Sequence, residues 1–111
     1  MKKPHRILVM DGSRVVRASL AKHLGGEYEV IEESNGDSAW QVLMLDHKIS
    51  LVISGLHTSK LEAVDLQTRL RSSSIRRLRE MPLVLIVSDQ HNQATREHEL
   101  PRGANGFITK T

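Results

Sequence analysis

The sequence predicts an α/β domain, a parallel β-sheet with helices packed on both faces. Three observations carry that prediction. Short continuous aliphatic runs recur along the chain, as buried parallel strands require. Segments with helical apolar spacing stand between them, so strand and helix alternate five times with the last helix absent. The size fits as well: 111 residues, 39% hydrophobic and 26% charged, are one domain of ordinary globular composition.

The first strand is Arg6-Ile7-Leu8-Val9-Met10, closed by the turn residues Asp11-Gly12-Ser13. Ser13 caps a helix over residues 14–24, whose Val15, Val16, Leu20 and Leu24 predict one buried face. Gly25-Gly26 stops it. Residues 28–32 alternate and predict a second, more exposed strand. Turn and cap chemistry at residues 34–38 leads into a helix over 38–46, with Ala39, Trp40, Leu43 and Met44 core-like and Trp40 a packed anchor. Leu51-Val52-Ile53-Ser54 is the third strand, ending at Gly55. Val64, Leu66 and Leu70 predict a helix over 61–71. Pro82 precedes a fourth strand over 83–87. Residues 90–100 are polar and weakly helical, and Pro101 ends them. Phe107-Ile108 is a short fifth strand.

Composition narrows the function. No apolar run approaches the roughly 18 residues that cross a bilayer. The basic start Met1-Lys2-Lys3 is followed by too short an apolar segment for a secretory signal. Zero cysteines exclude disulfides, thiolate chemistry and Cys-based zinc sites, and make the cytoplasm the expected compartment. The net charge of +3 is a weak attraction for nucleic acid, and one Trp, one Tyr and one Phe are too few for a base-stacking platform.

In an open parallel sheet, ligands sit beyond the carboxyl ends of the strands. The residues there are Asp11-Gly12-Ser13, Gly55-Leu56-His57, Ser88-Asp89 and Thr109-Lys110. An acid after strand one and a lysine after strand five would face one crevice. Spacing alone serves equally well a turn aspartate and a surface lysine.

The whole chain resembles the receiver domain of two-component response regulators, the fold of the chemotaxis regulator, and four segments in order carry the resemblance. Residues 7–17, Ile-Leu-Val-Met-Asp-Gly-Ser-Arg-Val-Val-Arg, resemble its first strand, acidic pair and first helix. Residues 51–57 resemble the third strand and phosphoacceptor turn, residues 81–89 the fourth strand with its switch hydroxyl, and residues 103–110 the last strand with its lysine. The resemblance implies a flavodoxin-like, doubly wound five-stranded sheet of order 2-1-3-4-5. It also implies a signalling module acting on an output domain, such as a diguanylate cyclase or a DNA-binding domain.

The departures from the family pattern bear on chemistry. The second acid is Gly12, the phosphoacceptor position is Gly55, and the switch position is Val87, with Ser88 one residue late. Ser59 and Lys60 stand where Pro and Gly usually follow, and Thr111 stands where Pro follows the lysine. Asp11 and Lys110 remain. Phosphotransfer needs a carboxylate nucleophile, which Gly55 does not supply. Mg²⁺ needs several oxygen ligands and excess negative charge. A complete pocket sets three acids against one lysine; here one acid faces one lysine, and the formal charge falls to zero. The expectation is a degenerate receiver (pseudo-receiver) over residues 1–111, with Mg²⁺ binding weak or absent and Asp11 paired to Lys110. Ser54, Thr58 and Ser88 are neutral hydroxyls without an adjacent base, hence poor substitute acceptors.

Family members continue into a fifth helix beside the first. It would bury about four large apolar side chains, each contributing roughly 1.5–3 kcal/mol. The chain stops short of it, so a fragment of a longer protein or a homodimer through the uncovered face is expected.

Arg69, Arg71, Arg76, Arg77 and Arg79 put five cations in eleven residues. They read either as a solvated helix end or as a surface for nucleic acid or an acidic partner. His5, His23, His47, His57, His91 and His98 show no metal-ligand spacing. Asp11-Gly12-Ser13 also resembles the haloacid-dehalogenase phosphohydrolases, but Val9 stands where their nucleophilic aspartate would be. No glycine-rich phosphate loop or nucleophile elbow is present, so no enzymatic activity is expected.

Overall fold

Five parallel strands lie side by side in the order 29–33, 6–10, 49–55, 83–88 and 106–110, with crossovers on both faces. The structure is a computed structural model that describes residues 5–55, 60–88 and 105–110, those of 60–64, 87–88 and 107–110 by their backbone. The elements are β1 (Arg6–Met10), α1 (Arg14–Leu24), β2 (Glu29–Glu33), α2 (Gly36–Leu45), β3 (Ile49–Gly55), α3 (Lys60–Arg71), α4 (Arg76–Arg79), β4 (Leu83–Ser88) and β5 (Gly106–Lys110). The sheet order is the predicted one. Residues 90–100 with His91 and His98, the loop at 56–59 with His57, Thr58 and Ser59, and Asp89, Pro101 and Thr111 lie outside the described residues.

The pleat divides the core in two. Leu8 and Met10 of β1 point to one face, where Leu43 of α2, Leu66 and Leu70 of α3, and Leu78 of α4 cover them. Ile7 and Val9 point to the other, against Val16 of α1, Ile53 and Ile86. Apart from Ser54 and Gly55 at the end of β3, the buried strand residues are apolar on both faces, which is why β1, β3 and β4 read as aliphatic runs. Among the described residues α1 is the one helix on the second face. Leu51, Val84 and Val30 there are only half-buried, and a groove of about 350 Å³ opens between Leu24, Tyr28, Leu51 and Ile53.

Local chemistry sets the helix ends. Ser13 Oγ accepts from the Val16 amide at 3.3 Å, the predicted cap. Asn35 Oδ1 accepts from the Ser38 amide at 2.9 Å, so α2 begins at Gly36 rather than at Ser38. The Gly25 amide closes α1 on the Ala21 carbonyl at 2.8 Å, and a Cβ at Gly25 would lie 2.7 Å from that oxygen. Trp40 packs against the core as expected.

Two expectations about burial need correction. Val15 is 78% exposed: Val16, Leu20 and Leu24 hold the i, i+4, i+8 row, and Val15 falls one residue off it. Met44 is 47% exposed, because Ala39 and Leu43 take the inward face of α2. The single turn α4, which periodicity is too short to reveal, is anchored by the buried Leu78 alone.

Candidate functional site

Parallel register brings the chemistry-bearing strand ends to one edge. Met10 pairs with Ser54, so Asp11 leaves β1 beside Gly55, the last residue of β3. Gly55 in turn pairs with Ile86 of β4. Val87 pairs with Thr109 and Ser88 with Lys110 at the ends of β4 and β5. The backbones of Asp11, Gly12, Gly55, Val87, Ser88 and Lys110 thus rim the same edge of the sheet. The predicted ion pair of Asp11 with Lys110 falls on a side chain outside the described residues.

Asp11 is fully buried, a position that a charged group holds only with hydrogen bonds around it. The Ser13 amide donates to Asp11 Oδ1 at 2.7 Å, an Asx turn across the β1–α1 connection. Arg17 Nη1 donates to the Asp11 carbonyl at 2.6 Å, while Arg17 Nε faces Glu32 at 3.5 Å. Gly12 next to it is exposed.

The side chain of Asp11 lies over Gly55. A Cβ built on Gly55 would run into Asp11 Oδ2, with Asp11 Cγ at 2.5 Å and Cβ at 3.0 Å. The carboxylate therefore stands where the side chain of any other residue at 55 would begin. Sequence reasoning identified both residues but missed this contact, because strand register and the Asx turn together create it. Ser54, one residue earlier, points to the opposite face and is fully buried, and its hydroxyl makes no hydrogen bond among the described residues.

This donor set does not fit Mg²⁺. The ion takes a near-octahedral shell of oxygens, and Gly12 and Gly55 add no side-chain oxygen to Asp11. Among the described residues no group of three or more His, Cys, Asp or Glu side chains could hold a metal ion. No described helix is long and apolar enough to cross a membrane.

The arginine cluster surrounds the end of α3 and the approach to β4, and most of it is engaged within the protein. Arg69 faces Asp37 and Asp65, each at 3.2 Å. Arg71 donates from Nη1 to the carbonyls of Arg79 and Met81 at 2.9 and 2.8 Å, and from Nη2 to Asn105 Oδ1 at 2.8 Å. Burial lowers the pKa of its guanidinium below the ordinary arginine value. Arg76 pairs with Glu80 at 3.3 Å, and Arg79 donates to the Ser73 carbonyl at 3.4 Å. Arg77 is half-buried, and its Nη1 has no hydrogen bond among the described residues.

No family model matches the sequence. Individual relatives do. The two-component response regulator ORR3 of rice is 32% identical over 110 residues, spanning 97% of this chain and 80% of the relative. The chemotaxis protein CheY1 of Helicobacter pylori is 27% identical over 107 residues, spanning 95% of this chain and 84% of the relative. Among solved structures, the chemotaxis response regulator CheY4 of Vibrio cholerae superposes with a TM-score of 0.83 at 17% identity, over 97% of this chain and 88% of that one. A response regulator receiver protein from Pseudomonas putida gives 0.81 at 19% identity, over 99% and 88%. At these identities the superpositions speak to the fold, which is that of the chemotaxis regulator.

Proposed function

The chain belongs to the response regulators with a CheY-like receiver fold, and we propose that it is a degenerate receiver that transmits its signal without phosphorylation at the strand-end crevice. One observation supports this above the rest: Gly55, at the position that resembles the phosphoacceptor, has no side chain, and the Asp11 carboxylate lies in the space above it. A phosphoryl group attached there would need a nucleophilic oxygen, which glycine lacks. It would also meet a carboxylate of like charge, with no Mg²⁺ shell to offset the repulsion. No catalytic role is assigned to Asp11, Gly12, Val87, Ser88 or Lys110, and p-nitrophenyl phosphate should remain unhydrolysed.

Without a covalent switch, regulation falls to binding. The apolar face beside α1 is the surface most suited to it, with Leu24, Tyr28 and Leu51 incompletely covered. A second copy or an output domain docked there would bury them. Sizing chromatography over a range of concentrations reads the homodimer directly; a single monomer peak throughout would count against it.

Fluoroberyllate, which mimics a phosphoryl group on an aspartate, tests the crevice itself. With Mg²⁺ and fluoroberyllate present, fluorine NMR should show only free species, and a bound signal would overturn the reading.

A further inference from the structure

Nothing in its backbone asks for glycine at position 55. Its φ lies outside the left-handed region, and it is an ordinary buried strand residue paired with Ile86. The three atoms nearest to a Cβ there all belong to one side chain, Asp11: Oδ2, Cγ and Cβ. Asp11 in turn is not a flexible tip that moves aside at little cost. Its Oδ1 holds the Ser13 amide, its carbonyl holds Arg17, and Ser13 itself caps α1.

We propose that Asp11 and Gly55 are a coupled pair in which the Asp11 carboxylate is the built-in plug of the crevice. Glycine at 55 is the condition for that plug to seat, and the seated plug closes the space in which a residue at 55 could carry a group. The inference rests on the preceding reading for its functional meaning, since there Gly55 stands at the acceptor position. Its physical content does not depend on that reading. A side chain can be put back at 55 only by displacing Asp11, and with it the Asx turn that starts α1.

A thermal-unfolding cycle of Gly55→Ala, Asp11→Ala and the double variant tests the coupling without any phosphoryl donor. Gly55→Ala should lower Tm by on the order of 5–15 °C, as overpacking does in a domain of this size. In the Asp11→Ala background the same methyl should cost less than half of that shift, because the space is already vacant. The Ser13 amide signal in a ¹H–¹⁵N spectrum should also move in Gly55→Ala, as Asp11 Oδ1 is pulled from it. If Gly55→Ala does not fold alone, recovery of folding in the double variant is the expected result. Equal shifts in both backgrounds, no shift in Gly55→Ala, or a double variant that also fails to fold would overturn the proposal. Uptake of phosphate by the unaltered protein would instead overturn the reading of the crevice and leave this coupling standing.

Discussion

Arg71, the last residue of α3, donates to the side-chain oxygen of Asn105 at 2.8 Å, and Asn105 in turn bridges to β4. The same Asn105 oxygen accepts from the Leu83 amide at 2.9 Å, and the Asn105 amide donates to the Leu83 carbonyl at 2.8 Å. With its bonds to the Arg79 and Met81 carbonyls, Arg71 ties α3, α4 and the starts of β4 and β5 together. An arginine that looks like part of a basic docking surface in the sequence is a structural clamp.

Arg71→Ala should therefore destabilise the fold by about 2–3 kcal/mol, the range for losing charge-assisted hydrogen bonds. Arg71→Lys should recover little of it, since an ammonium cannot present the planar fork that reaches three acceptors. Urea unfolding of both variants checks this. A lysine variant as stable as the parent would show that charge alone matters there.

The same engagement predicts weak polyanion binding. Arg69 and Arg76 face carboxylates, and Arg71 and Arg79 face carbonyls. Duplex DNA should show no retardation at physiological salt, and any association at low salt should vanish with modest added salt. Tight binding at physiological salt, lost in Arg76→Glu with Arg77→Glu, would instead support the reading of these arginines as a nucleic-acid surface.

Ser54 and Gln67 are fully buried, and neither the Ser54 hydroxyl nor either amide atom of Gln67 has a hydrogen-bond partner among the described residues. A buried unpaired polar group carries its desolvation penalty without return, of about 1–3 kcal/mol. Ser54→Ala and Gln67→Met should leave stability unchanged or raise it by up to about that amount. A Tm well below the parent's for either would mean that the group is satisfied in solution.

The two helix caps act independently. Ser13→Ala and Asn35→Ala should each cost about 0.5–2 kcal/mol, and the two losses should add, because the caps serve different helices and share no partner. Strong non-additivity in chemical denaturation would show that the two helix starts are coupled through the crevice.

The sheet was legible because β1, β3 and β4 are buried on both faces and read as aliphatic runs, while the half-exposed β2 shows its alternation instead. The cap at Ser13 was legible because it stands directly before an apolar row; at residues 34–38 several cap-forming residues compete, and the structure selects Asn35. Val15 was misread because a Val-Val pair offers two helical phases, and only packing chooses Val16. The turn α4 was hidden because its four residues, three of them arginines, hold a single buried apolar side chain, Leu78, too little for a periodic pattern. At the crevice, sequence alone shows that Gly55 lacks a side chain. That Asp11 fills the space follows from register and a turn, which no local pattern encodes.

The most direct measurement of the central claim is the intact mass of the unaltered protein after incubation with acetyl phosphate and Mg²⁺. The account predicts an unchanged mass. A stoichiometric, base-labile phosphoryl adduct would contradict it.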